Sequence, residues 1–404
     1  MMKQYFDDMV AGIARKINDD PESRSPRKVY ALEVARLGSR LYSGDGGVAW
    51  CGVTAPFDLL NAMGVTSCFV EFIGAMLAAT GMADAYIDEA AHAGYAGDTC
   101  TYHRGVIGAM RMGLMPEPDF LIATSVPCTG GLAVMETIAR HFKKDLFVLN
   151  VPQRETDESV KYLADQIRAM VSFVEDHTGR SLDQEKLQQA IDHTNEARAL
   201  CEEAYFLARA VPSPADGRIL SNFGVVMALL MGTSAGVEVA RTYRDRFKEM
   251  VDSGQGGIAD EKLRLLWIQN RIQFKNPLID ILEATFGASV VCEELNDITW
   301  DPIDPAAPFE SMARRAISIP FNGDVNRRIA HLQKLAREYR IHGAINPCNW
   351  GCRQGTGARG LIAEGLKQIG VPVLNLEVDC IDSRNFALGQ MQTRLEAFTE
   401  MLSG

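Results

Sequence analysis

Six cysteines of this chain stand where a sulfur could do chemistry. Cys51, Cys100, Cys128, Cys348, Cys352 and Cys380 each fall in an expected loop or at a strand end, beside Gly, Pro or Asp. The thiolate is both nucleophile and metal ligand, and such positions leave it free to reach a bound group. Cys348, Cys352 and Cys380 all lie between Gly343 and Asp382, and the first two form a Cys-x-x-x-Cys pair. Zinc usually takes closer pairs, although His103 near Cys100 and His342 before Cys348 would complete a mixed Cys/His site. Iron–sulfur clusters accept scattered thiolates. Spacing alone leaves zinc, a cluster and plain thiols open. Cys68, Cys201 and Cys292 sit in apolar or helical contexts, where cysteine behaves as a small hydrophobe.

Fewer residues suggest acid–base work. His103 and Arg104 would place a proton donor and a positive charge beside Cys100, or simply begin the helix at Val106. Asp58 would be a catalytic acid, or an anion favoured in a first helical turn. Glu377, Asp379 and Asp382 are expected to anchor Arg384 or Arg394. Gly355-Thr356-Gly357-Ala358-Arg359-Gly360 matches the dinucleotide pattern G-x-G-x-x-G, with Glu377 downstream. That pattern needs its first glycine directly after the strand, and here nine residues separate Ile345 from Gly355. No G-x-x-x-x-G-K-S/T loop occurs either, so no nucleotide is expected to bind this chain.

The elements that must position these residues read as two α/β units. Expected strands lie at Val48 to Val53, Pro118 to Thr124 and Leu146 to Asn150, with helices from Phe57 to about Ala93, at Val106 to Met112 and at Leu132 to His141. Polar, helix-periodic residues fill Thr156 to Ala210, and helical character resumes from Phe223 to Met250. Further strands are expected at Leu263 to Ile268, Ala288 to Cys292, Ile341 to Ile345 and Val371 to Val378. Asn346 to Gln354 reads as a loop. The division is therefore N-terminal helices over 1–40, a first α/β domain over 41–155, a helical segment over 156–259 and a second α/β domain over 260–404. Ligands of open α/β sheets bind outside the carboxyl ends of the strands, which is where the six cysteines fall.

Composition narrows the partners. The chain has 404 residues, is 47% hydrophobic and carries a formal net charge of -11. It can bury a large core and offers no basic surface for nucleic acid or an anionic membrane. No apolar run is long enough to span a bilayer, and the first twenty residues lack the apolar centre of a signal peptide. A cytoplasmic protein with unpaired thiols is expected.

Several stretches together resemble one family. They are Ala49-Trp50-Cys51, Pro56-Phe57-Asp58-Leu59, Asp98 to Arg104 (DTCTYHR), Pro127-Cys128, Asn349-Trp350-Gly351-Cys352-Arg353, GVPVLNLEVDCIDSRN and the closing GQMQTRLEAFTEML. The chain resembles the benzoyl-CoA reductase and 2-hydroxyacyl-CoA dehydratase family of iron–sulfur proteins, from about residue 40 to the end. The resemblance implies two flavodoxin-like α/β domains with helical additions, facing each other across a cleft that holds a 4Fe–4S cluster. By position, Cys100 and Cys128 look like the first-domain ligands and Cys352 or Cys348 like the second-domain one. It also implies an ATP-hydrolysing iron–sulfur activator that delivers one low-potential electron. In the dehydratases that electron makes a ketyl radical of a CoA thioester; in the reductases it attacks an aromatic ring. Two related subunits are usually paired. A homodimeric side branch, the double-cubane cluster proteins, reduces small molecules instead. A third possibility is a chain that only carries electrons or supports a catalytic partner.

The chain departs from that pattern at one point. Dehydratase catalytic subunits resemble W-S-T-S-V-F-P, where this chain reads Trp50-Cys51-Gly52-Val53-Thr54-Ala55-Pro56. A thiol replaces a hydroxyl. Two bridged cubanes need six thiolates, and the loop-type cysteines number six. On that arithmetic all six are expected to ligate an eight-iron double cubane.

Overall fold

The computed structural model describes residues 2–20, 24–44, 47–221 and 223–404. Met1, part of the expected first helix, lies outside them. Helices α1 (Met2–Asp19) and α2 (Pro26–Ser43) pack on each other. The first half continues as β1 (Val48–Cys51), α3 (Phe57–Ala62), β2 (Thr66–Phe69), α4 (Glu71–Ala79), α5 (Ala83–His92), α6 (Thr101–Arg111), β3 (Phe120–Thr124), α7 (Thr129–Phe142) and β4 (Leu146–Leu149). Four helices follow: α8 (Asp157–Thr178), α9 (Gln184–Leu207), α10 (Phe223–Leu230) and α11 (Ser234–Asp252). The second half begins with β5 (Leu263–Trp267), α12 (Leu278–Asp280), β6 (Ala288–Glu293), α13 (Pro308–Ser318) and α14 (Val325–Glu338). It closes with β7 (Gly343–Asn349), α15 (Arg353–Thr356), α16 (Arg359–Lys367), β8 (Val373–Val378) and α17 (Leu388–Ser403).

Every strand pairing is parallel. The sheets run β2-β1-β3-β4 and β6-β5-β7-β8. Each therefore has the order 2-1-3-4, which is flavodoxin-like, and in such sheets the ligand crevice opens where the order reverses, at the first and third strands. The strands are mostly apolar: β1 is VAWC, β3 is FLIAT and β5 is LRLLW, all buried along their length, with Arg264 of β5 paired to Glu261. That composition suits a parallel sheet covered by helices on both faces. Thr156 and Asp183 cap α8 and α9 by accepting backbone N–H groups, which begins the two long helices where the polar periodicity starts.

Three sequence expectations change. Thr66 to Phe69 lies in a run expected to be helical but forms strand β2, which carries Cys68. Its apolar residues are a short buried strand followed at once by a helix, and periodicity does not separate the two. Strand β7 does not stop at Ile345: it pairs with β8 through Asn349, so Cys348 is a strand residue. Helix α13, between the expected strands at Ala288 to Cys292 and Ile341 to Ile345, has no counterpart among the expected elements.

Helix α6 is held tightly because it must present Cys100 and His103. A Cβ on Gly108 would stand 1.8 Å from the Tyr86 carbonyl oxygen of α5, and one on Gly74 of α4 would stand 2.9 Å from the Tyr102 carbonyl oxygen. Both glycines let backbones meet directly. Gly108→Ala is expected to force α5 from α6 and to cost about 1–3 kcal/mol, as overpacking does. A lowered urea midpoint would show it; an unchanged midpoint would refute the tight contact.

Candidate active site

Three thiols from both halves line one cavity of about 1130 Å³ between the sheets: Cys100, Cys128 and Cys352. Each is the residue immediately before a helix, α6, α7 and α15 respectively. The Cys128 Sγ accepts the Gly131 N–H at 3.4 Å, and the Cys352 Sγ accepts the Gly355 N–H at 3.3 Å. Sulfur here takes the place of the usual hydroxyl or carboxylate cap. The Cys100 Sγ accepts the Asn349 Nδ2–H at 3.8 Å, a bond from the other half of the molecule. Gly351 explains how the halves come so close. Its φ is +74°, and a Cβ there would lie 2.6 Å from the Cys100 amide nitrogen. The turn after β7 thus presses directly on the loop before α6, and only glycine fits.

Burial pushes all three thiols up, while amide N–H groups at the helix starts pull each one back toward the thiolate. Among the described residues, no group of three or more His, Cys, Asp and Glu side chains could hold a single metal ion. The three thiols share one cavity, and Cys352 and Cys128 both raise the Cys100 thiol further.

Of the other expected ligands, Cys51 and Cys348 face other surroundings, while Cys380 lies near Cys100 and Cys352. Cys51 ends β1 inside the first core, close to Cys68, and its thiol donates to the Ala49 carbonyl at 3.8 Å. Cys348 donates toward the Asn346 carbonyl at 3.5 Å and Asn375 Oδ1 at 3.7 Å, on the side of β7 near Arg359. Cys380 is fully buried behind the cavity wall; burial pushes its thiol up, and Asp379, Cys352 and Cys100 add to the effect. None of the three lines the cavity. Cys68, Cys201 and Cys292 are buried, and Cys201 of α9 reaches the cavity wall.

His103 lines the cavity, its Nε2 3.3 Å from Glu71 Oε1. Arg104 does not line it; its Nε donates to the Thr99 carbonyl at 3.2 Å. Asp58 reaches the cavity but is buried and gripped by both Arg315 nitrogens, at 2.7 and 2.8 Å. Burial would raise its pKa, yet Arg315 and the Leu59 amide hold it below the ordinary carboxylate value. An anion so held anchors; it does not donate a proton. Of the expected anchors, Asp382 does hold Arg384. Glu377 instead pairs with Arg359, Asp379 accepts the Thr101 hydroxyl at 2.7 Å, and Arg394 donates to the Asn375 carbonyl.

Residues with no motif complete the site. Asn349 is fully buried; its Nδ2 serves Cys100 while its Oδ1 accepts the Cys380 amide at 2.8 Å. Gln269 and Asn270, just after β5, each point an amide N–H at the Cys352 Sγ from 3.8 Å. Gln269 has φ 59°, uncommon outside glycine, and its Oε1 accepts from Arg328, which is itself paired with buried Glu294. The only hint in sequence was the polar run beyond each strand end. One motif goes unused: Gly232-Thr233-Ser234-Ala235-Gly236 has the form G-x-S-x-G, but Ser234 begins α11 after a turn, not a strand, and does not line the cavity.

Residues 52–402 match the family described as 2-hydroxyglutaryl-CoA dehydratase, D-component. The chain is 24% identical over 388 residues to the (R)-phenyllactyl-CoA dehydratase alpha subunit of Clostridium sporogenes, covering 92% of each chain. It is 24% identical over 391 residues to the lactoyl-CoA dehydratase alpha subunit of Anaerotignum propionicum, covering 88% of this chain and 90% of that one. It is 24% identical over 383 residues to a benzoyl-CoA reductase subunit of Thauera aromatica, covering 86% and 85%.

The Asp58–Arg315 pair gives a test independent of any ligand. Removing one partner of a buried pair strands the other charge, so Arg315→Met is expected to cost about 3–5 kcal/mol. Because the folded pKa of Asp58 is lowered, its contribution is complete above the unfolded carboxyl pKa, about 3.9. It is lost as pH falls through the lower, folded value. Denaturation curves from neutral pH downward should therefore converge for native and Arg315→Met chains only in acid. A constant gap at all pH values would refute the assignment.

Proposed function

Because the chain belongs to the 2-hydroxyglutaryl-CoA dehydratase, D-component family, we propose that it is the iron–sulfur subunit of an enzyme acting on a 2-hydroxyacyl-CoA thioester. It is an enzyme of the 2-hydroxyacyl-CoA dehydratase family. Cys100, Cys128 and Cys352 hold one 4Fe–4S cluster in this reading. The observation that carries it is the meeting of these three thiols, from both halves, on one cavity wall. The residues fit such a group: each sulfur already accepts an N–H, and the cavity has room beside them for a substrate arm. Binding would displace the thiol protons, as thiolate ligation does. When bound there, such a cluster would supply the chemistry of low-potential one-electron transfer.

The chain's own residues do the rest. Asn349, Gln269 and Asn270 orient the sulfurs from behind. Glu71 holds the His103 ring, which faces the cavity near Cys128 and offers the proton that a departing hydroxyl needs to leave as water. Asp58, held as an anion, fixes Arg315 in the wall. Alpha subunits imply a partner chain, so a related second subunit or a second copy completes the enzyme. With no phosphate-binding loop of its own, the chain takes its electron from a separate ATP-hydrolysing activator.

This reading takes three of the six expected ligands, because Cys51, Cys348 and Cys380 do not line the cavity. A double cubane would need all six. Anaerobic reconstitution is expected to give about four irons and four sulfides per chain, since one cubane is the proposed content. Cys51→Ala and Cys348→Ala should keep the full iron count, whereas Cys100→Ala, Cys128→Ala and Cys352→Ala should each lose most of it. A count near eight that falls on Cys51→Ala would replace this reading with the double-cubane one.

The electron source can be checked separately. Calorimetry of the purified chain with ATP should show no binding, and turnover should appear only when the activator is added. Tight stoichiometric ATP binding would overturn this part.

A further inference from the structure

The wall of the cavity farthest along the sequence from Cys352 comes from outside the family match. Tyr5, Phe6 and Met9 of α1 and Tyr30, Ala31 and Val34 of α2 line the same cavity as the three cysteines. Both helices precede residue 52, where the match begins. They form one unit. The Phe6 ring lies so close to α2 that a Cβ on Gly38 would stand 2.4 Å from it, and it stacks on Tyr42 at 5.7 Å. Phe69, Phe72, Ala75 and Met76 of the first half extend the same apolar lining.

Most charges on the cavity wall are met locally, Asp297 by His331 and Lys334 among them, while Asp98 is an exposed lining carboxylate with no cationic partner among the described residues. Arg315 is bound by Asp58 and Arg271 by Glu293. Glu71 faces His103, and Glu294 is bound by Arg328. Arg353, exposed beside Cys352, is the lining cation with no acidic partner among the described residues. It belongs to the second half, whereas the apolar wall belongs to the first. A charged group against that wall would lose water without gaining a partner, which is costly. Apolar pockets with few polar groups select their ligands in this way.

We propose that α1 and α2 form the specificity wall of the site and that the acyl group it takes is apolar, without a distal carboxylate. This rests on the thioester reading above. Met9 and Val34 are the selecting residues: both are half-buried and both face the cavity. The inference uses no chemistry of the cluster, so binding alone tests it.

The experiment is calorimetric titration of the whole chain with isocaproyl-CoA and with glutaryl-CoA, which differ in that one end is apolar and the other anionic. The native chain should bind the isocaproyl thioester at least about ten-fold more tightly, reflecting the cost of an unpaired buried charge. Met9→Lys and Val34→Lys should shrink that ratio toward one, while Met9→Leu keeps it; thermal denaturation confirms that each variant is folded. Equal binding of the two thioesters, tighter binding of glutaryl-CoA, or a ratio unmoved by both lysine variants would overturn the specificity wall and leave the thioester reading standing. Binding of neither thioester would overturn both.

Discussion

The structure depends on burying three sulfurs together and compensating each one. A thiolate in an apolar interior is unfavourable, and burial alone pushes all three thiols up. The chain answers with oriented N–H groups. Cys128 and Cys352 use the amides of Gly131 and Gly355, three residues on in each case. Cys100 uses a side-chain amide from across the cleft. Helix starts are suited to this, because their amides have no partner within the helix. Everything else near the cleft follows from bringing three helix starts to one place. Gly351 must be glycine, since the second half's turn rests on the first half's Cys100 backbone.

The repeated topology shows how two of the three arise. Cys128 follows β3 and Cys352 follows β7, the third strand of each half, and each precedes the next helix with the same sulfur-to-amide bond. These are equivalent positions at the two reversals of strand order, facing one another. The third cavity thiol breaks the equivalence. In the first half Cys100 precedes α6, the helix leading into β3; in the second half Asp324 precedes α14, the helix leading into β7. Asp324 caps its helix by accepting the Asn326 amide. The shared strand order thus accounts for a pair of equivalent thiols, and the third has no counterpart in the second half.

Much of this was legible in the chain, for physical reasons that differ by element. β1, β3, β5 and β6 are short, mostly apolar runs, so they stand out. β2 did not, because Thr66 to Phe69 merges with the apolar start of α4 and no turn residue marks the join. Cys348 was misread as a loop residue since Asn346 and Pro347 look like turn formers, yet Asn346 is buried and bonds Asn375 on β8. The long-range partners were beyond reach. Asn349 was visible only as a neighbour of Cys352, and nothing local says that its side chain spans Cys100 and Cys380. Gln269 and Asn270 read as an ordinary polar loop until β5 and β7 are placed side by side.

The buried ion pairs around the cleft are better understood as positioning devices than as sources of stability. A buried pair must overcome the desolvation of both charges, and apolar replacements are often as stable. What Arg328 gains from Glu294 is a fixed direction: it then donates to Gln269, and Gln269 is left with its N–H aimed at Cys352. Asp58 likewise fixes Arg315, whose guanidinium lies over the Trp300 ring at 5.1 Å. Apart from Arg353, the cationic side chains lining the cavity are neutralised within the wall. An anion held among the three cysteines is therefore met chiefly by amide dipoles, not by full positive charges. That arrangement holds geometry firmly while leaving negative charge there only partly offset.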